Sequence, residues 1–148
     1  MTVAHRTEAL LAPSLTAAVV ALRMRGMRVS STRRALLERL FAAARPLPAE
    51  QLAGGLDIAG VYRNLDALEA VGLVRHVHVG HGPGLYALAG RRDTGYAACD
   101  RCGRHAALDA DALAAVHAAV RSATGFDGDF THFPIVGVCA TCQEEEGR

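Results

Sequence analysis

Residues 57–88, DIAGVYRNLDALEAVGLVRHVHVGHGPGLYAL, carry the change of period that decides the fold. Up to Gly72 the apolar positions Val61, Leu65, Leu68 and Val71 repeat at helical spacing, which predicts a helix over about 59–70 with those residues inward. Tyr62, Arg63, Asp66 and Glu69 then point outward, and Gly72 supplies a left-handed stop. Beyond it the period drops to two. Val74, Val77 and Val79 run into the turn His81-Gly82-Pro83-Gly84, and Leu85, Tyr86 and Leu88 return as a partner strand.

Upstream, Pro13 suits a first helical position, and Leu15, Val19 and Leu22 repeat at helical spacing up to Gly26. Ser30 or Ser31 caps a second helix, Thr32 to about Ala44, whose inward stripe is Leu36, Leu37, Leu40 and Phe41. Pro46 and Pro48 break it, and Ala49–Ala53 reads as a short third helix stopped by Gly54-Gly55. Compactly spaced helices followed by a hairpin predict a winged helix-turn-helix, with the helix at 59–70 as its reading element and the hairpin as its wing. Residues 1–12 show little pattern and are expected to form a flexible or weakly helical arm.

Gly90–Gly95 is polar and reads as a hinge. After it come a strand ending at Cys99, a turn, a strand near His105–Leu108, and a helix capped by Asp109 and closed by Gly125. That helix is expected to bury Ala112, Leu113, Val116, Ala119, Val120 and Ala123. A last strand, about Phe130–Val138, precedes a second cysteine turn, and the acidic tail Glu144–Glu146 should be solvated. The expected fold class is α/β (α+β): a winged-helix domain over 1–89, a hinge over 90–95, and a small α/β domain over 96–148.

All four cysteines lie in CxxC pairs, Cys99/Cys102 and Cys139/Cys142. Two thiolates on a tight turn chelate one ion, and two such turns complete a tetrahedral site. Four soft ligands select zinc over oxygen-seeking cations, so one structural zinc per chain is expected. Disulfides rank lower, because the N-terminus carries no secretory signal and the chain reads as cytoplasmic. The competing readings are a thiol redox switch and metal-free reduced cysteines.

Seven histidines are present. His76 and His78 occupy positions i and i+2 of a strand and so share a face, with His132 as a candidate third ligand from the other half. From spacing alone, the pair reads as a solvated polar face of the wing. His117 is expected on a helix surface, and His105 within reach of a cysteine thiolate.

Composition narrows the field of functions. The 148 residues are 51% hydrophobic and 21% charged, enough apolar material for a core and too much for disorder. No apolar run approaches the roughly 18 residues of a membrane span. All basic residues are arginine, and they divide unevenly. Ten arginines face six acids in residues 1–80, whereas six face nine in residues 81–148. A positive first half suits a module that meets nucleic acid.

Arg28–Leu40, the run Val61-Tyr62-Arg63-Asn64-Leu65, the segment Glu69-Ala-Val-Gly72-Leu-Val74 and the paired CxxC turns together resemble the ferric uptake regulator superfamily, over about residues 20–142. Within it, Gly72–Gly82 and His132–Cys139 are most similar to the actinobacterial nickel uptake regulators. The resemblance implies a homodimeric, metal-responsive transcriptional repressor whose second domain dimerises. It places DNA reading on Tyr62 and Arg63, with Arg33 holding phosphate, and it makes a pseudo-palindromic duplex operator the partner. It also maps a second divalent site, for zinc or nickel, onto His76, His78 and His132.

The departures from the family pattern matter equally. Its usual run of histidines before the first CxxC is here Arg92-Asp93-Thr94-Gly95-Tyr96. Pro46 and Ala87 stand where further ligands are usual, and Gly60 replaces the usual Thr. Arg91 and Arg92 bring positive charge to the place of a cation. The expected function is therefore a DNA-binding repressor with an altered metal sensor, the alternative being a metal-independent or redox-gated regulator with only a structural zinc. A zinc hydrolase ranks far below, because no general base lies near His76–His81.

Overall fold

The computed structural model describes residues 7–78, 82–90 and 95–147. The chain divides into two compact units, Met1–His76 with Leu85–Arg91, and Val77–Gly84 with Arg92–Arg148. The expected hinge and the tip of the expected wing turn fall largely on residues 91–94 and 79–81, outside the described residues.

In the first unit, α1 (Leu15–Met24) starts at the Ser14 cap and α2 (Ser31–Ala42) at Ser30, each serine oxygen accepting a backbone N–H three residues on. The short α3 (Ala49–Ala53) matches its expected bounds and ends at Gly54 in the left-handed region. Helix α4 (Ile58–Ala70) is capped by Asp57, whose Oδ2 accepts the Gly60 N–H at 2.7 Å. Leu22, Leu36, Leu37, Leu52, Leu65 and Leu68 are fully buried between these helices. Each such leucine stabilises the unit by about 1.5–3 kcal/mol relative to exposure. Arg39 of α2 donates to the carbonyls of Leu52, Ala53 and Gly54, satisfying the open end of α3.

The hairpin strands are β2 (Val74–Val77) and β3 (Leu85–Leu88). A strand that the sequence reading omitted, β1 (Leu47–Pro48), pairs antiparallel with Leu85 and Tyr86, giving the sheet order β1-β3-β2. It escapes notice because it is two residues long and ends in proline, which is confined to sheet edges.

Residues 7–12 also differ from expectation. They form neither helix nor a loose end in the described region. The Leu10 N–H donates to the Gly72 carbonyl at 2.8 Å, and Leu10 and Ala12 pack on the core. Gly72 has φ +80°, and a Cβ there would collide with the Glu8 carbonyl oxygen, so the helix stop doubles as a seat for the arm.

The second unit has a three-stranded sheet in the order β5-β4-β6. Strand β4 (Gly95–Cys99) lies at the centre, antiparallel to β5 (His105–Leu108) and parallel to β6 (Ile135–Gly137). The crossover to β6 contains α5 (Ala110–Thr124), capped by Asp109 and closed by Gly125 at φ +76°. Of the six residues expected inward on α5, Leu113 alone is buried; Ala112, Val116 and Val120 are half-buried, and Ala119 and Ala123 are exposed. His117, expected on the surface, is half-buried with its ring 5.2 Å from that of Phe130. The expected last strand shrinks to Ile135–Gly137, and the acidic tail is the end of a helix, α6 (Ala140–Glu146), with Glu146 2.5 Å from Arg101. None of the described helices is long and apolar enough to cross a membrane.

Candidate metal centre and nucleic-acid interface

The two CxxC turns meet in the second unit. Cys99 ends β4 and Cys102 follows on a turn closed by the Gly103 N–H on the Cys99 carbonyl, with Gly103 at φ +74°. Cys139 precedes α6 as its cap residue, and Cys142 lies inside its first turn. Pairing of Cys99 with Gly137 in the β4–β6 ladder brings the second turn beside the first.

All four Sγ atoms lie within 4.8 Å of one another, and among the described residues this is the group of three or more such side chains that is spaced to hold a metal. Cys102 Sγ and Cys139 Sγ are 3.7 Å apart. Zinc–sulfur bonds of about 2.3 Å in a tetrahedron require an S–S edge of about 3.8 Å. The donor set and its spacing therefore suit zinc.

Charge points the same way. Backbone N–H groups of Cys102, Cys139 and Arg101 converge on the Cys99 sulfur, the Cys139 N–H at 3.3 Å, and hold its thiol down at about 6. Hydrogen bonding to Cys139, then burial and the other two thiols, push Cys142 up to about 12. Four sulfurs this close cannot all ionise without a cation among them. His105 takes no part: it is exposed, its ring lying 6.2 Å from that of Tyr96.

The histidine trio is distributed differently. In the second unit the His78 N–H donates to the His132 carbonyl at 3.1 Å, and the two rings meet edge to face with centroids 5.5 Å apart. Phe133 stacks on His78 at 5.7 Å and stands edge-on to His132 at 4.5 Å. In the first unit the His76 ring lies flat on Tyr86, 4.4 Å between centroids and 7° between planes. Within the second unit the structure sets His78 against His132, and within the first it sets His76 against Tyr86.

The outward face of α4 presents the expected reading side chains. Val61, Leu65 and Leu68 are buried, which leaves Tyr62 38% exposed and the Arg63 side chain open to solvent. Arg63 Nη2 lies 3.9 Å from Asp57 Oδ2, the cap oxygen of its own helix. Tyr62 Oη donates to Glu50 Oε1 at 2.9 Å, and that bond, with some burial and the carboxylate charge, raises the phenol above its ordinary value.

Arg33 is more constrained than expected of a phosphate clamp. Its Nε donates to Asn64 Oδ1 at 2.8 Å and its Nη1 to the Arg28 carbonyl at 2.6 Å, tying α2 to α4, while Asn64 Nδ2 holds the Gly60 carbonyl. Three residues without a role in the sequence reading thus stand at this face: Glu50, Asn64, and Ile58, which is 40% exposed one turn before Tyr62. Ile58 alone had a local signal, an apolar residue off the buried stripe. The Glu50–Tyr62 and Arg33–Asn64 bonds arise from tertiary packing.

A small α/β chain with a helix-turn-helix and a four-thiol site is the class these observations define. A family model described as a helix-turn-helix domain matches residues 29–77. No curated protein matches the chain. Among solved structures, the Helicobacter pylori ferric uptake regulator, described as having three functional metal-binding sites, is 19% identical, with TM-score 0.65 over 88% of this chain and 94% of that one. The Vibrio cholerae ferric uptake regulator is 21% identical, with TM-score 0.62 over 82% and 99%. The Pseudomonas aeruginosa ferric uptake regulator, solved with manganese, is 25% identical, with TM-score 0.60 over 82% and 96%. The chain has the fold of the ferric uptake regulators and contains a helix-turn-helix DNA-binding domain.

Proposed function

We propose that this chain is a homodimeric, sequence-specific DNA-binding repressor of the ferric uptake regulator type, acting in the cytoplasm without enzymatic activity. The observation that carries the reading is the pairing, in one chain of this fold, of an outward Tyr62-Arg63 on α4 with a four-thiol cluster at zinc spacing. Domains over 1–89 and 96–148, joined by a hinge at 90–95, divide the labour. The first reads DNA through Tyr62 and Arg63, and Arg33 braces the reading helix and adds positive charge near phosphate. The second binds one structural zinc through Cys99, Cys102, Cys139 and Cys142 and dimerises.

The dimer finds support in how little the second unit buries. Phe126 is 73% exposed, Phe133 62% and Val136 63%, apolar side chains that a second copy would cover. A two-fold dimer of winged helices calls for a pseudo-palindromic operator. The His78–His132 pair is the nucleus of a second divalent site, for zinc or nickel, completed by His76, and the sensor pocket common in the family is altered. Elemental analysis of gently purified protein tests the metal half of this reading. One zinc per chain supports a structural ion alone, two divalent ions support the added histidine site, and none contradicts both.

A further inference from the structure

An acidic residue on a surface that approaches DNA carries an electrostatic cost, because every phosphate it faces repels it. Glu50 stands on such a surface if α4 enters the major groove, since its carboxylate is bonded to the Tyr62 hydroxyl. It is also unusually well anchored for a short helix. It sits in the first turn of α3, whose far end is clamped by the three carbonyl contacts of Arg39, so its position relative to α4 is fixed by the core. Tyr62, in contrast, projects from α4 with an exposed ring that would otherwise rotate about its side-chain torsions.

We propose that Glu50 is a positioning residue for Tyr62, fixing the phenol ring for contact with a base edge while its charge weakens attraction to phosphates of any sequence. The inference rests on the DNA-reading function proposed above. Both effects act on the same quantity, the ratio of specific to non-specific affinity. An ordered ring meets a thymine methyl without first losing rotamer freedom, and a carboxylate beside it penalises complexes held by backbone charge alone. Asp57, 3.9 Å from Arg63, sets a second carboxylate beside a reading side chain.

The test uses the zinc-loaded full chain with two probes: a duplex enriched by the wild-type protein from a randomised pool, and the unselected pool. Glu50→Ala should raise affinity for the unselected pool by about two- to fivefold and lower the ratio of the two affinities by about tenfold. Glu50→Gln should raise pool affinity similarly but lose less of the ratio, because its amide oxygen still accepts the hydroxyl. In a Tyr62→Phe background, Glu50→Ala should lower the ratio no further than the pool term alone, as a double-mutant cycle requires. Equal losses in both backgrounds, or an unchanged ratio, overturn the proposal.

A spectroscopic titration of the phenol in folded Glu50→Gln gives a second measure independent of Glu50→Ala folding. The Tyr62 transition, assigned by its loss in Tyr62→Phe, should move part of the way down toward the ordinary tyrosine value, since the carboxylate charge is gone while an oxygen still accepts the hydroxyl. An unmoved transition overturns the proposal. Failure of the wild-type chain to enrich any duplex is read before a variant is made. It refutes the DNA-reading function, and the role of Glu50 with it.

Discussion

Replacing Cys102 by serine separates a thiol that packs from a thiol that ligates. Cys102 is exposed on its turn, with its Sγ 3.7 Å from that of Cys139. Without metal, Cys102→Ser is a surface change and should alter stability by no more than about 0.5 kcal/mol. With zinc bound, it removes one of four ligands from an ion whose apparent contribution in small structural sites is about 10–16 kcal/mol.

Among the described residues of a single chain, the second unit has few other buried side chains. Among the described residues its buried side chains, Val77 apart, are Ala98, Cys99, Leu113 and Cys142. Leu113 supplies about 1.5–3 kcal/mol, against an ordering cost of about 1–2 kcal/mol for each residue fixed. We therefore expect Cys102→Ser, or removal of zinc by a strong chelator, to melt α5 and α6 while the core of α1–α4 persists. Those two helices hold 15 and 7 residues, beside 10, 12, 5 and 13 in the others, so the far-ultraviolet helical signal should fall by roughly a third. Circular dichroism with parallel zinc analysis reads both quantities. A variant that keeps the full signal and an unchanged melting temperature would refute the reasoning, as would simultaneous loss of all the described helices.

Other consequences follow from particular contacts. Gly72→Ala forces a side chain into the left-handed region and against the Glu8 carbonyl, displacing the Leu10 bond; urea denaturation should show a loss of about 2–3 kcal/mol. Burial, then the charge of Asp66, pushes Tyr86 up to about 12, so the folded state holds its proton more tightly than the unfolded chain. The stability this gives is complete below about pH 10 and should vanish as pH rises to about 12, a loss that Tyr86→Phe should not show in alkaline melts. Replacing His76, His78 and His132 together by alanine should leave zinc at the cysteines and abolish any metal-dependent gain in DNA affinity. Unchanged metal-dependent affinity would remove the histidine site from the account.

Legibility in the sequence followed the range of the interactions. Helix α4 and its stop at Gly72 could be placed within a residue because a buried stripe, a cap and a left-handed glycine are all local. The cysteine quartet was equally plain, since each half of a tetrahedral site is a four-residue turn. Strand β1 and the seat of the arm on Gly72 were not legible, because both depend on partners distant in sequence. The Glu50–Tyr62 and Arg33–Asn64 bonds were hidden for the same reason. The inward face expected for α5 failed for another cause. In so small a unit one turn of the helix reaches the buried interior, and alanine spacing alone does not separate a core-facing residue from one left at the surface.

Selection from a randomised duplex pool by the zinc-loaded full chain is the most direct measurement of what the molecule is for. The account predicts enrichment of a dyad-symmetric sequence, its half-sites about 10 base pairs apart or a multiple of that, with enrichment lost in Arg63→Ala. Failure to enrich any sequence, or an undiminished preference when Tyr62 and Arg63 are both replaced by alanine, would contradict it.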